Sequence, residues 1–227
     1  MNAELMKPTR STTTASSDRE RLRLAPTEPQ LPRINRSNGR FDLHAAERAV
    51  TDLLAALGQD PAEEGLRETP RSVAAAYQEL LSSRPFTLTT FHNDEGYDEL
   101  IIARSIRFSS QYMHHLLPFI GFATVGYLPQ DRILGLSKLA RIVEHFARGL
   151  QVQERMTQQI ANWLQDNLRP KGVGVVVDAE HLCMSVRGVH QPESTTVTSA
   201  LLGVLRMDPR TRQEFLSLAR TGLGGRT

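Results

Sequence analysis

Three short segments of this 227-residue chain concentrate the side chains able to do chemistry. They are Gln111-Tyr112-Met113-His114-His115, Gly135-Leu136-Ser137-Lys138, and His181-Leu182-Cys183 followed by Arg187. Neighbouring side chains on an extended backbone point to opposite faces, so His114 and His115 do not readily ligate one metal together. One can serve a metal while the other does something else. His181 and Cys183 lie two apart and share a face if their segment is a strand. An imidazole and a thiolate reaching toward His115 make a partial zinc set, since these are zinc's usual donors. The same residues also suit a core or a surface with no metal, and spacing does not choose between the two.

Ser137 stands where a helix begins, with Lys138 and Arg141 beside it. Backbone N–H groups and positive charge at a helix start favour an anion, so this is a seat for phosphate or a cap with two solvated cations. Glu154 falls in the first turn of another helix. A carboxylate there answers the helix dipole, or accepts two hydrogen bonds from an amidine-like base edge such as that of guanine.

The elements positioning these residues follow from periodicity. Leu43, Ala46, Val50, Leu53, Leu54 and Leu57 recur at helical spacing and Gly58 ends the run. A second helix is expected from Thr69-Pro70, with threonine as cap and Val73, Tyr77, Leu80 and Leu81 on one face. Ile101 to Phe108 and Phe119 to Leu128 read as strands, with a turn at Pro129-Gln130-Asp131. Amphipathic helices follow over Ser137–Arg148 and Val152–Leu168. The apolar run Gly172–Val186 reads as one long buried strand, Thr195–Leu202 as another, and Pro209–Arg220 as a closing helix. Strands in pairs with two consecutive helices between them make an α+β fold.

The bulk composition is that of an ordinary globular chain, 40% apolar and 23% charged. No apolar run reaches the ~20 residues that span a bilayer, and no secretory leader is expected. One cysteine excludes an internal disulfide and suits a reducing cytoplasm. The net charge of +2 hides an asymmetry, because residues 1–40 hold 8 Lys/Arg against 4 Asp/Glu. That basic, Ser/Thr-rich tail is expected to be disordered, with a helical part over 41–97 and the main domain over 98–227. Basic stripes with interleaved aromatics are lacking, so no nucleic-acid partner is expected.

Taken in order, the motifs from about Thr69 to Arg220 resemble GTP cyclohydrolase I. The resemblance is carried by His114-His115-Leu116-Leu117-Pro118-Phe119, Gly135-Leu136-Ser137-Lys138-Leu139-Ala140-Arg141 and Gln151-Val152-Gln153-Glu154-Arg155. It continues through His181-Leu182-Cys183-Met184-Ser185-Val186-Arg187-Gly188 and Thr195-Thr196-Val197-Thr198-Ser199. It implies a tunnelling fold, in which small sheets with packed helices assemble into a ring-shaped homodecamer with sites at subunit interfaces. It also implies a reaction in which the imidazole ring of GTP is opened, formate leaves, and a pterin closes to give 7,8-dihydroneopterin triphosphate. By position, Glu154 holds the guanine edge with Gln153 beside it. Ser137, Lys138, Arg141 and Arg187 surround the triphosphate, His114 and His181 handle protons, and His115 and Cys183 are zinc ligands.

Two positions depart from the family pattern. Cys-Glu-His-His reads here as Tyr112-Met113-His114-His115, so a phenol replaces a third zinc donor. Thr-Pro-x-Arg reads as Thr69-Pro70-Arg71-Ser72, which puts Ser72 where a phosphate-binding arginine is expected and leaves Arg71 as its possible substitute. Four-ligand sites hold zinc with roughly 10–16 kcal/mol, so one donor is worth on the order of 3 kcal/mol. Its loss weakens binding ~100-fold. Zinc is therefore expected to be weakly held or absent. Three functions are compatible with these residues: complete GTP cyclohydrolase I chemistry, partial or altered chemistry on GTP or a related purine nucleotide, and a non-catalytic nucleotide-binding or regulatory subunit.

Overall fold

A computed structural model describes residues 41–220. The basic tail expected over residues 1–40 lies outside the described residues. The chain opens with two mutually packed helices, α1 (Leu43–Ala56) and α2 (Thr69–Leu81). Asp42 caps α1 by accepting from the Ala45 N–H at 2.9 Å, one of the donors a helix start leaves unpaired. Thr69 does not cap α2. It is the first helical residue, and Glu68 holds the cap position without a side-chain bond. Pro70 in that first turn has no N–H to leave unsatisfied, so the cap is less needed.

Two sheets follow. Strands β1 (Thr90–His92) and β4 (Arg132–Leu134) form a small antiparallel pair that three-residue runs are too short to signal by periodicity. The main sheet contains β2 (Ile101–Tyr112), β3 (Pro118–Leu128), β5 (Leu150–Gln151), β6 (Gly172–His181) and β7 (Thr195–Gly203). Its order is β5-β2-β3-β6-β7, antiparallel except where β5 runs parallel to β2. Helices α3 (Ser137–Ala147) and α4 (Gln153–Leu168) lie between the two strand pairs in sequence and cover one face. The fold is thus the expected α+β tunnelling type, with a helical part before it.

The covered face holds the main core. Phe119, Ala123, Val125 and Tyr127 of β3 and Val173, Val175, Val177 and Ala179 of β6 meet Ile142, Val143 and Phe146 of α3 and Met156, Ile160 and Leu164 of α4. Each Val, Ile, Leu, Phe or Met among these contributes about 1.5–3 kcal/mol by leaving water. On the opposite face, α6 (Val204–Met207) and α7 (Pro209–Arg220) cover one end with a smaller cluster of Val176, Leu205, Phe215 and Ala219.

One irregularity sets the direction of the site. Ala103 pairs with Val125 and Ile106 with Ala123, so β2 carries one extra residue over that stretch, where Ser105 adopts a φ of 55°. A bulge of one residue exchanges the faces of everything after it. Odd positions 101 and 103 lie opposite core residues before the bulge. Even positions, including the buried Phe108 and Ser110, lie opposite them after it.

A second departure concerns the run read as one strand over 172–186. Strand β6 stops at His181, and residues Leu182–Ser185 form a helical turn, α5. The partners run out there: His181 pairs with Phe119, next to the first residue of β3, and Glu180 with Thr195, the first of β7. With no ladder to join, the backbone satisfies itself by coiling.

Candidate active site

Strand parity gathers the aromatic and imidazole side chains at one end of the sheet. Continuing from Phe108 and Ser110, Tyr112 falls on the helix-covered face of β2. Phe119 and His181 lie directly opposite each other on β3 and β6, on that same face, with rings stacked at 5.0 Å and 4°. The Tyr112 ring is 5.5 Å from that of His181 and meets it edge-on.

His114 and His115 are not on extended backbone. They occupy the turn joining β2 to β3, closed by Leu116 N–H donating to Tyr112 C=O at 2.9 Å. Being turned rather than extended, both rings reach Tyr112. His114 is edge-on at 5.1 Å, and His115 is stacked at 5.0 Å and 15°. The ends of β2 and β6 and the turn between β2 and β3 thus bring Tyr112, His114, His115 and His181 together.

Behind His181 stands the start of α4. Gln153 is 1% exposed. Its amide N–H groups donate to Val177 C=O at 3.1 Å, Thr196 C=O at 2.8 Å and the Thr198 hydroxyl at 3.2 Å. Its Oε1 meets His181 Nε2 at 2.7 Å. Expected beside Glu154 at a base edge, Gln153 turns inward instead. Glu154, the next residue, is exposed at the head of the helix, where the dipole favours its charge. Burial holds the His181 pKa below the ordinary histidine value; Glu154 opposes that shift and His115 adds to it.

The candidate phosphate residues lie elsewhere. Ser137 does not cap α3, because Leu136 occupies the cap position and no side chain bonds there. Ser137 and Arg141 instead line a cleft of about 590 Å³ with Arg107, Ser109, Glu144 and Arg148. Arg141 is within 3.6 Å of Glu144 in an exposed pair, worth little by itself. Lys138 is half-buried on the same helix, and Arg187 is exposed just beyond α5. Arg71 and Ser72 lie exposed in the first turn of α2. None of the imidazoles lines that cleft. Sequence order suggested nothing of this division.

A zinc ion does not fit the donors as they stand. The single lone pair of His115 Nδ1 accepts from Leu117 N–H at 3.2 Å, which leaves the proton of the neutral ring on Nε2. Metal-bound histidines do the reverse, donating from one nitrogen and ligating through the other. The Tyr112 ring lies flat against the same imidazole, and a neutral phenol is outside zinc's usual donor set. Cys183, half-buried, sits on the α5 turn and not on the strand face of His181. Among the described residues, no group of three or more His, Cys, Asp or Glu side chains is arranged to hold a metal.

The profile of the GTP cyclohydrolase I family matches residues 46–220. The chain belongs to the GTP cyclohydrolase I family. Curated relatives named GTP cyclohydrolase 1 span bacteria and animals. That of Synechococcus sp. (strain JA-3-3Ab) is 53% identical over 176 residues, 76% of this chain and 77% of the relative. That of Aquifex aeolicus (strain VF5) is 49% identical over 180 residues, 79% of this chain and 98% of the relative. The human protein is 47% identical over 194 residues, 84% of this chain and 77% of the relative. The matched region takes in most of α1, all of α2 to α7 and the whole main sheet. Within this GTP cyclohydrolase I fold, no helix of the described residues is long and apolar enough to cross a membrane.

Proposed function

We propose that this chain binds GTP and acts on its purine imidazole ring, toward 7,8-dihydroneopterin triphosphate, without a tightly held zinc ion. The convergence of His114, His115 and His181 beside Glu154, in a chain about half identical to named GTP cyclohydrolases, carries this reading. The exposed Glu154 carboxylate accepts the paired N–H groups of the guanine edge. Ser137, Lys138, Arg141 and Arg187 take the triphosphate, with Arg71 beside Ser72 as a further cation. His114 and His181 hold and move protons at the ring.

The distance in the fold between the imidazole cluster and the Ser137–Arg141 cleft is bridged between copies in an assembled homo-oligomer, which we take to be a decamer. Strand β7 is hydrogen-bonded within the sheet only to β6, and β2 only at Gln111 and Tyr112 on its β5 side, among the described residues. Open edges of this kind need cover, and a second copy supplies it. The single cysteine suits the reducing cytoplasm, where we place the protein.

A second reading has one observation in its favour. With Tyr112 stacked on His115 and no third donor, the pocket lacks a ready site for an activated metal-bound hydroxide; water addition to the purine is then slow, and the chemistry on the nucleotide is partial or altered. Without even that step, the chain is a nucleotide-binding or regulatory subunit. Incubation with GTP separates the three. Pterin fluorescence with released formate supports the first. A formylated ring-opened product seen by mass supports the second. Calorimetric binding on the order of micromolar with no product leaves the third, and no heat at all with GTP removes the proposal.

A further inference from the structure

The acceptors around Gln153 fix which end of its amide carries the two hydrogens, and this sets the state of His181. Val177 C=O and Thr196 C=O can only accept, at 3.1 and 2.8 Å, so the NH₂ end of the Gln153 amide must face them. A flipped amide would set oxygen against two carbonyl oxygens. The hydroxyls confirm the direction. Thr157 has one hydrogen and donates it to Gln153 C=O at 2.8 Å. The 2.7 Å contact between the two threonine hydroxyls is therefore donated by Thr198 to Thr157. With its hydrogen spent, Thr198 Oγ1 can only accept from the Gln153 amide, at 3.2 Å. A chain of bonds runs from the side-chain amide of Gln153 to Thr198, to Thr157, and ends on the main-chain carbonyl of Gln153.

The amide oxygen is then the group facing His181. An oxygen with no hydrogen, 2.7 Å from an imidazole nitrogen, requires that nitrogen to carry one. We propose that Gln153 is a positioning residue that holds His181 protonated at Nε2, leaving Nδ1 bare as the acceptor toward a bound ligand. Stacking of the His181 ring flat on Phe119 fixes its plane, and the Gln153 bond fixes which edge faces inward. Glutamine does this without charge, so the neutral ring keeps one donor and one acceptor in assigned places. A carboxylate in the same seat would set an ionised group against two carbonyl oxygens. This role deepens the proposed GTP chemistry and rests on it only for the use to which Nδ1 is put.

The test is magic-angle-spinning NMR of protein grown with histidine labelled with ¹⁵N at the δ nitrogen only, with His181 identified by difference against His181→Asn. At a pH where the ring is neutral, the wild-type His181 signal is expected to be that of a bare nitrogen. A protonated Nδ1 there overturns the proposal, and that measurement needs no variant at Gln153 to fold. Gln153→Met keeps the length of the side chain and removes its acceptor. It is expected to give mixed bare and protonated Nδ1 signals and to lower kcat with GTP ~10–100-fold while KM stays put. A Gln153→Met protein with wild-type tautomer and wild-type kcat also overturns the proposal. If neither protein turns over GTP, yet wild type reads bare and the variant mixed, the role of Gln153 stands and the GTP reading falls.

Discussion

A cysteine at position 112 would carry its thiol on the face where the Tyr112 ring now lies, because parity along β2 and not side-chain type sets the direction. Tyr112→Cys is therefore expected to raise zinc affinity ~100-fold, about one donor's worth. Elemental analysis should find zinc well below one per chain in the wild type and near one per chain in the variant. Stoichiometric, dialysis-resistant zinc in the wild type would mean that the Leu117–His115 bond gives way easily. Glu154 makes a separate claim on the ligand. Glu154→Gln keeps the shape but loses charge-assisted acceptance, worth about 1.5–3 kcal/mol. GTP affinity should fall about 10–100-fold by calorimetry, and ATP, lacking the paired donors, should bind wild type and variant alike.

Helix α7 shows how a single element depends on close approach and on its cap. A Cβ at Gly174 would lie 2.6 Å from the Phe215 ring, which is fully buried between sheet and helix. Gly174→Ala is expected to cost about 1–3 kcal/mol by overpacking, read as a lower Tm. At the start of α7, Asp208 accepts from the Thr211 hydroxyl at 2.6 Å and from the backbone N–H groups of Arg210 and Thr211. The Thr211 hydroxyl bond, then those N–H groups, hold its pKa below the usual carboxylate range. A depressed folded pKa stabilises above the unfolded value and is lost as pH falls through the folded one. Asp208→Ala should thus lower Tm at neutral pH, with the gap to wild type closing as the solution is made acid. A gap that stays constant down to acid pH would argue against the cap.

For the whole molecule, the proposed assembly with copies of the same chain would cover the open edges of β7 and β2 and join the phosphate cleft to the imidazole cluster. Light scattering is expected to give a mass near ten times the 25.4 kDa of one chain. Mixing a Glu154→Gln chain with a Ser137→Ala, Lys138→Ala chain should restore part of the GTP binding that each lacks alone, since sites then pair one intact half with another. A monomer that binds GTP with full affinity would refute the shared site.

Helical spacing marks α1, α3 and α4, the Thr-Pro start marks α2, and continuous apolar runs mark β3 and β6, because a helix buries one face and these strands bury both. Ordered motifs identified the family and named Tyr112, His114, His115, His181, Glu154 and Cys183. Their mutual arrangement needed three dimensions. Which face Tyr112 takes depends on one extra residue at the β2 bulge, and nothing in the identity of Arg104 or Ser105 announces it. The strand end at His181 depends on where its neighbours start, and the nearer edge of β3 at Phe119 is remote from it in sequence. The direction of the Gln153 amide is set by carbonyls of two strands remote from it in sequence, Val177 of β6 and Thr196 of β7. Local chemistry is written along the chain, whereas register, parity and hydrogen-bond direction arise only when distant segments share the same hydrogen-bond ladder.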